Sequence, residues 1–301
     1  MSYKTKARPK AKSKNKLKSK QTAKSKTKSG SKIKSKTKPK HRKKRTAPKI
    51  SKKEYVSIII SALLVVCLVL GAVVTHNHSN RQRSGLLDID KDVAFGIDVS
   101  AHNGKIDWEK VSGEADFAFI RVGYRGYQGG ALSADKCAKY NLKHAKRAGV
   151  PVGVYFYSQA ITPEEAEQEA DFVIDFIHNC RVTLPVVIDY EYAYDKGKLG
   201  GRLYNAGLGR NEGAEIISAF AKKVTNAGYT AGVYASTNFY EEKINVKKLD
   251  KNTVIWVADY NKNITYDGYY DIWQYSKSGS CGGVPSKHVD MNHWYLKETK
   301  S

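Results

Sequence analysis

Two carboxylates separated by one residue end the apolar run Val186-Val187-Ile188-Asp189-Tyr190-Glu191. Successive side chains of a strand point to opposite faces, so Asp189 and Glu191 are predicted to face the same way, about 7 Å apart at Cα. Two close carboxylates cannot ionise independently, and one keeps its proton to higher pH. A carboxylic acid beside a carboxylate is what glycosidic cleavage needs. Acids are also common at solvated strand ends, so the pair alone leaves a structural role open.

Further acids stand at equivalent places in other apolar runs. Asp98 and Asp259 each end a run, and Asp290 lies in the last one, Val289–Asn292. Carboxylates that end several strands of one barrel would converge on one mouth, which is where barrel enzymes carry their active sites.

Aromatic residues are predicted to reach the same rim. Such rings can stack on sugar faces, although core packing is the commoner role of any single ring. No Ser-His-Asp set, metal-ligand cluster or phosphate-binding glycine loop stands out, so neither a metal nor a cofactor is expected. The aromatic candidates are Tyr124, Tyr155, Tyr157, Tyr190, Trp273 and Tyr275.

The second part of the chain alternates strand patterns with helix patterns. Ser133 can cap a helix that runs to Ala148, and Thr162 begins a capping box that opens a helix to about Ile177. A third helix is predicted over Asn211–Ala227, closed by Gly228. Eight apolar, β-branched runs predict strands, at Ala94–Val99, Phe117–Val122, Val150–Tyr157, Val186–Tyr190, Thr230–Ala235, Val254–Ala258, Tyr270–Tyr275 and His288–Asn292.

This pattern predicts an α/β fold. Strands that alternate with helices favour a parallel sheet, and eight of them favour a closed (β/α) barrel. The later connections are short, so fewer helices than strands are expected. The barrel domain is assigned to residues 93–297.

The basic charge is confined to the start of the chain. Residues 1–54 carry 24 of the 52 Lys and Arg and a single acid, Glu54, so this segment accounts for the whole net charge of +23. Its few apolar residues predict a disordered tail, and its positive charge predicts that the tail stays in the cytoplasm. It either binds anionic lipid or nucleic acid as an electrostatic arm or only fixes membrane topology.

An apolar segment follows the tail. Val56–Thr75 contains no charged residue, and twenty helical residues span about 30 Å, the thickness of a bilayer core. We predict a transmembrane signal anchor over residues 55–75 and a polar linker over 76–92, with the barrel outside the cell membrane. A cleaved signal peptide is the alternative, although no A-x-A site follows the segment.

The remaining composition limits other functions. Beyond residue 54 the chain has 28 basic and 28 acidic residues, and this neutral body argues against nucleic-acid binding by the folded domain. The cysteines show no metal-binding spacing, and free or buried thiols are the simplest interpretation. They are Cys67, Cys137, Cys180 and Cys281.

Seven short stretches carry a specific pattern in a fixed order. They are Gly96-Ile97-Asp98-Val99-Ser100, Gly104-Lys105-Ile106-Asp107-Trp108, Phe117-Ala118-Phe119-Ile120-Arg121, Ala148-Gly149-Val150-Pro151-Val152-Gly153-Val154-Tyr155, the Asp189/Glu191 pair, Trp273-Gln274-Tyr275-Ser276 and Val289-Asp290-Met291-Asn292. With these stretches, residues 94–296 resemble glycoside hydrolase family 25, the lysozymes of bacteria and phages. The resemblance implies an irregular, flattened, TIM-like β/α barrel that cleaves the β-1,4 bond from N-acetylmuramic acid to N-acetylglucosamine in peptidoglycan.

The resemblance also implies roles for individual residues. Glu191 matches the general acid, and Asp189 matches the residue that orients a substrate acetamido group acting as internal nucleophile. That mechanism is retaining and substrate-assisted, an exception to the usual two-carboxylate scheme. Asp98 and Asp290 match the remaining acids of the family, which support the pair and bind substrate. The expected substrate contacts are Tyr157, Trp273, Gln274, Asp259 and Tyr124.

Three other functions are compatible with the sequence. The same acid pair would serve an enzyme that acts on another N-acetylated glycan, such as chitin. A catalytically silent domain could bind wall glycan within a membrane complex, although all four acids are intact. The tail could bind nucleic acid, but its only aromatic residue is Tyr3, so no specific recognition is expected. The oligomeric state is left open.

Overall fold

The computed structural model of the protein describes residues 51, 61–62, 86–87 and 89–296. The predicted tail and the predicted anchor therefore fall almost wholly outside the described residues. Within the described part of the chain, no helix is both long enough and apolar enough to cross a bilayer. The elements below all belong to the compact unit that begins at Ala62.

Eight of the strands close into a barrel. Their order is β1-β11-β10-β9-β8-β5-β4-β2, and β2 hydrogen bonds back to β1. Strand β3 extends the sheet beyond β2, while β6 and β7 form a separate hairpin directly after β5. The strands are β1 Val93–Val99, β2 Phe117–Arg125, β3 Leu132–Ala134, β4 Val152–Ser158, β5 Val186–Tyr190, β6 Ala193–Asp195, β7 Lys198–Gly200, β8 Ala231–Ser236, β9 Val254–Ala258, β10 Ile272–Gly279 and β11 Val289–Tyr295.

Helices cover the early connections of the barrel, and the last two connections, from β9 to β10 and from β10 to β11, contain no α-helix. Two short 3₁₀ helices, Ala101–Asn103 and Val246–Lys248, complete the described elements. The prediction of fewer helices than strands is therefore confirmed. The α-helices are α1 Trp108–Val111, α2 Ala138–Arg147, α3 Pro163–Ile177, α4 Gly201–Asn205, α5 Arg210–Asn226 and α6 Thr237–Lys243.

One strand reverses the predicted direction. Strand β11 runs antiparallel to both of its neighbours, β1 and β10, whereas the other neighbouring barrel strands are parallel. The expectation of a wholly parallel sheet is wrong at this position. The physical reason is the short connection after β10, because two neighbouring parallel strands need a crossover of a dozen or more residues.

Two predicted helix starts have different outcomes. Thr162 caps α3 as expected, since its hydroxyl accepts the Glu165 N–H at 3.3 Å and Pro163 takes the first helical position. Ser133 does not cap a helix, because its backbone pairs with Tyr124 in the β2–β3 ladder. Helix α2 begins at Ala138, four residues after β3 ends.

The core has two layers, one inside the barrel and one between the sheet and the helices. Large aromatic residues fill the interior, where Phe117, Phe119, Trp256 and Trp294 are at most 2% exposed. Glycine at position 153 makes room for them, since a Cβ atom there would overlap the ring of Phe119. These rings close the barrel below its mouth, so polar side chains above them line a cleft and not a pore.

Candidate active site

The four acids singled out in the sequence meet in one cleft. Asp98 lies near the end of β1, Asp189 near the end of β5 and Glu191 just beyond it. Asp290 is the second residue of β11, and because this strand is reversed, its beginning lies at the carboxyl ends of the others. The cleft has a volume of about 810 Å³.

Aromatic and basic side chains complete the walls of this cleft. Tyr157 was expected there, and Tyr155 and Trp256 lie deeper, next to the aromatic layer of the barrel. Two cations, Arg121 and Lys277, also line the cleft. The other lining residues are His102, Tyr127, Ala193, Tyr194, Tyr234, Ser236, Ala258, Tyr260 and Gln274.

Asp98 is buried and held by two side-chain amides. Its Oδ2 accepts hydrogen bonds from Gln274 Nε2 at 2.8 Å and Asn292 Nδ2 at 2.9 Å. Burial and the neighbouring Asp290 raise the pKa of Asp98 to about 8, against the two amide donors. Gln274 is itself oriented by the hydroxyl of Tyr234, which donates to Oε1 at 2.9 Å. The predicted substrate contact Gln274 therefore orients Asp98 from within the cleft.

Asp189 is buried and incompletely satisfied by the protein. Its Oδ1 has no hydrogen-bond partner among the described residues, although the side chain is buried. Burial, Glu191 and Asp98 raise its pKa well above the usual range, and the charge of Arg121 opposes them. A buried carboxylate oxygen without a donor carries a desolvation cost, and a donor from a substrate would remove that cost.

Glu191 combines a raised pKa with access to the cleft. The residue is only half-buried, yet burial of its carboxyl and the charge of Asp290 raise its pKa to about 7, while Lys277 opposes them. The pKa of Asp290 is raised to about 6 by burial, again against Lys277. Near neutral pH, Glu191 can therefore hold a proton and release it, as a general acid must.

The chain that carries Glu191 is braced by a buried amide. Gln159 donates from Nε2 to the Glu191 carbonyl oxygen at 2.8 Å. The Gln159 carbonyl accepts from Arg202 at 3.1 Å, and Arg202 forms an ion pair with Glu165 at 2.6 Å. This chain of contacts links the end of β5 to α3 and α4, so helices outside the barrel help to fix the backbone at Glu191.

A family of known proteins matches most of the barrel. Residues 97–284 match the family model described as glycosyl hydrolases family 25. The chain belongs to this family. The predicted family and the predicted glycoside hydrolase class are thereby confirmed.

Relatives of known sequence or structure agree with this membership. An autolytic lysozyme of Clostridium acetobutylicum is 27% identical over 201 residues, which cover 66% of this chain and 55% of that protein. The modular autolysin LytC of Streptococcus pneumoniae, solved with a synthetic peptidoglycan ligand, is 29% identical, with a TM-score of 0.57 over 67% of this chain and 47% of that one. The chain thus spans about half the length of these relatives.

A further structure supports the fold alone. A family 25 glycosyl hydrolase from Bacillus anthracis superposes with a TM-score of 0.54 at 22% identity, and the match covers 70% of this chain and 92% of that chain. The match covers nearly all of that hydrolase, as expected when a single family 25 barrel accounts for most of a chain.

Of the five expected substrate contacts, Tyr157 and Gln274 line the cleft of this family 25 domain, whereas Trp273, Asp259 and Tyr124 do not. Trp273 alternates with Gln274 along β10, so its ring packs against Tyr275 and His293, and its Nε1 donates to the Asp259 carbonyl at 2.7 Å. The side chain of Asp259 accepts hydrogen bonds within its own loop, including two at 2.6 Å from Thr265.

The environment of Asp259 is that of a structural carboxylate. Burial works against its ionisation, but hydrogen bonds from Thr265 and Asn261 outweigh burial and hold its pKa at about 2. Thr237 donates a further bond at 3.1 Å. Because these donors already occupy the carboxylate, the structure favours a role in holding the loop over contact with substrate.

Tyr124 and Tyr190 occupy the rim and the core respectively. Tyr124 pairs in register with Tyr157 and is 37% exposed, with the Arg121 guanidinium carbon 5.6 Å from its ring centroid. Tyr190 does not reach the rim as predicted, because it lies between two residues that face the cleft and so points away from it; its ring packs against Phe239 in the core. The Tyr190 side chain therefore fills the outer core and lies outside the cleft.

Several residues of the site were missed from the sequence. Arg121 forms an ion pair with the buried Asp135 at 2.9 Å, which fixes its guanidinium beside Asp189. The sequence could have indicated Arg121, because it follows the inward-facing Phe119 by two residues in β2 and so faces the same way. Lys277 follows a register irregularity in β10, which simple alternation cannot anticipate. Tyr194 reaches the cleft from the β6–β7 hairpin and is 68% exposed.

No group of three or more His, Cys, Asp or Glu side chains among the described residues is arranged to hold a metal ion. Cys137, Cys180 and Cys281 are free thiols.

Proposed function

We propose that the barrel domain hydrolyses the β-1,4 bond between N-acetylmuramic acid and N-acetylglucosamine in peptidoglycan. The observation that carries this proposal is the Asp189–Glu191 pair in the cleft, with the pKa of Glu191 raised to about 7. A lysozyme and a peptidoglycan-bound autolysin among the relatives support the choice of substrate.

The proposed reaction proceeds in two steps. Glu191 donates its proton to the glycosidic oxygen as the bond between this oxygen and the anomeric carbon of N-acetylmuramic acid breaks. In the same step the acetamido oxygen of that N-acetylmuramic acid forms a bond to the anomeric carbon. Asp189 accepts a hydrogen bond from the acetamido N–H and stabilises the positive charge that develops on this group. Water then attacks the anomeric carbon and gives a proton to Glu191, so the product keeps the β configuration.

The other charged groups have supporting roles in this proposal. Arg121 favours the ionised form of Asp189, which the acetamido group requires. The charge of Asp290 raises the pKa of Glu191 and so keeps its proton available. Asp98 is held by Gln274 and Asn292 at the base of the same cluster.

Digestion of purified peptidoglycan tests the proposal. The released fragments are reduced with borohydride and identified by mass spectrometry, and muramitol ends are expected. Glucosaminitol ends, or no new ends, would contradict the proposal. Turnover of defined chitin oligomers in place of peptidoglycan would assign the enzyme to another N-acetylated glycan, and tight binding to sacculi without cleavage would indicate a silent binding domain.

We further propose that residues 55–75 anchor the protein in the cell membrane, with residues 1–54 in the cytoplasm and the barrel outside. The uncharged run Val56–Thr75 and the preceding positive charge support this topology. Protease added to intact, wall-stripped cells should then digest the barrel and leave the tail. Protection of a C-terminal tag would contradict the topology, and a free domain with a new N-terminus near residue 75 would indicate a cleaved signal.

A further inference from the structure

A second groove lies on the outer surface of the barrel, between α2 and the end of α3. Its volume is about 740 Å³, and none of its lining residues lines the catalytic cleft. Leu142, Phe176 and Cys180 contribute to its surface. The hydrolytic mechanism uses no residue of this groove.

The groove is strongly basic. Five basic side chains line it against a single acid, Asp175, and none of the five forms an ion pair with any described residue. Beyond residue 54 the chain has equal numbers of basic and acidic residues, so this charge is a local concentration. The five, all exposed, are Lys139, Lys143, Lys146, Arg147 and Arg181.

Helix stability does not account for this charge. Cations near a helix C-terminus are favourable, which explains Lys146 and Arg147 in the last turn of α2. It does not explain Lys139 or Lys143, since like charges four residues apart on a helix repel each other. Arg181 adds a further charge from beyond the end of α3. A bound anion would relieve the mutual repulsion of these cations.

The cations stand around a partly apolar surface. The Lys139 ammonium lies 5.8 Å from the ring centroid of Phe176, and burial raises the pKa of the Cys180 thiol against the charges of Lys146 and Lys139. Ammonium groups from both ends of α2 thus act on one surface. Lys139, Lys143 and Arg147 follow each other at four-residue intervals, which places them about 6 Å apart along the helix.

We propose that this groove binds a linear phosphodiester polymer with sugar or polyol carbon between its phosphates. Phosphates along an extended chain would meet the row of cations on α2, where Lys and Arg are good phosphate partners. The carbon between phosphates would pack on the partly buried ring of Phe176. Three cations in one row along α2 suit an extended strand of phosphates. This binding activity is separate from the proposed hydrolysis and would hold the enzyme to an anionic polymer beside its substrate.

The thiol of Cys180 provides a local readout in the full-length protein. Residues 1–54 will also attract polyanions, so total binding cannot report on the groove. The alkylation rate of each cysteine is therefore measured by peptide mass spectrometry in neutral detergent, with and without a synthetic oligomer of glycerol phosphate. We expect alkylation of Cys180 to slow several-fold while Cys137, which lies outside the groove, is unaffected. The protection should disappear at high salt, and glycerol phosphate monomer at equal phosphate concentration should give none.

Charge variants link the protection to the groove. Lys143→Gln with Arg147→Gln removes two groove cations, and Lys222→Gln with Lys247→Gln removes two exposed cations elsewhere. The first pair should abolish protection of Cys180, and the second should retain it. Both variants should hydrolyse peptidoglycan fragments at the unaltered rate, so failure of this proposal is distinguishable from failure of the proposed hydrolysis.

Four results would overturn the proposal. They are an unchanged Cys180 rate, equal slowing at Cys137, protection that survives the groove substitutions, and protection by vesicles of equal phosphatidylglycerol and phosphatidylcholine but not by the soluble oligomer. The last result would assign the groove to a lipid surface.

Discussion

Asp98 and Asp290 are direct partners in the antiparallel pairing of β1 with β11. This register places one carboxylate from the first barrel strand beside one from the last, at the mouth that also contains Asp189 and Glu191. The charge of Asp290 raises the pKa of Asp98 and of Glu191. The pairing of two distant strands thus tunes the acid that follows β5.

Glu191→Gln keeps the shape of the side chain and removes its transferable proton. We expect kcat to fall by about 10²-fold or more, because general acid catalysis contributes roughly 10²–10⁴-fold. The melting temperature should change little, since Glu191 is half-buried at a cleft and outside the apolar core. Release of reducing ends, measured beside thermal unfolding, checks both. A folded variant with wild-type turnover would remove Glu191 from the mechanism.

Asp189→Asn should also reduce kcat strongly, because a neutral amide cannot stabilise the charge that develops on the acetamido group. The charge of Asp189 acts within the same acid cluster, so its loss should in addition shift the pH profile. The measurement is the rate of hydrolysis from about pH 4 to about pH 9, a range that spans the usual pKa values of carboxyl and histidine side chains. A loss of stability with normal turnover and an unchanged profile would indicate a purely structural carboxylate.

The pH dependence of stability follows from the raised pKa values. In the folded protein the pKa is about 7 for Glu191 and about 6 for Asp290, whereas in the unfolded chain both are about 4. Between these values the folded protein therefore binds more protons than the unfolded chain. Stability contributed by these groups is present at low pH and is lost as pH rises through the folded pKa. The melting temperature should therefore fall between about pH 4 and pH 7 on their account.

Asp290→Asn tests this dependence and the coupling together. It removes one titrating group and lowers the pKa of Asp98 and Glu191, so the melting temperature should fall less steeply with pH. The alkaline limb of the activity profile should move to lower pH, because Glu191 loses its proton earlier. An unchanged limb would show that Asp290 does not tune Glu191.

Asp259→Ala distinguishes loop support from substrate binding. Its carboxylate accepts bonds from Thr265, Asn261 and Thr237, and we expect a loss of roughly 2–3 kcal/mol in the free energy of unfolding, since hydrogen bonds to charged groups are worth about 1.5–3 kcal/mol. KM at a permissive temperature should change little. Chemical denaturation measures the first quantity. A stable variant with a strongly raised KM would restore the substrate role predicted from the sequence.

Deletion of residues 2–45 should leave the hydrolytic rate on soluble fragments unchanged, because the mechanism resides in the barrel. The tail peptide should bind anionic vesicles or nucleic acid without sequence preference. Affinity should fall steeply as salt rises, since screening shortens to about 8 Å at physiological ionic strength. Equal affinity at low and high salt would contradict an electrostatic arm.

Local patterns were sufficient for most of the barrel and for the central acid pair. Strands β5 and β9 have the bounds that their apolar runs predict, and α3 begins at its predicted cap. Features that depend on competing contacts were harder to predict. Ser133 has the chemistry of a helix cap, but its backbone joins β2. Trp273 was predicted at the rim, but because side chains alternate along β10, Gln274 faces the cleft and Trp273 faces the opposite side.

The sequence by itself determined that Asp189 and Glu191 face the same way, because alternation is a property of any single strand. The resemblance of its motifs also determined the family. Only the tertiary structure decided that Asp290 meets Asp98, since that contact depends on the reversed direction of β11. The tertiary structure likewise decided that donors in the loop after β9 hydrogen bond to the Asp259 carboxylate. It also decided that α2 and the end of α3 together form a basic groove. Those outcomes depend on which distant segments pair and on which donors lie within hydrogen-bonding distance of a buried carboxylate. The spacing of residues along the chain predicts neither.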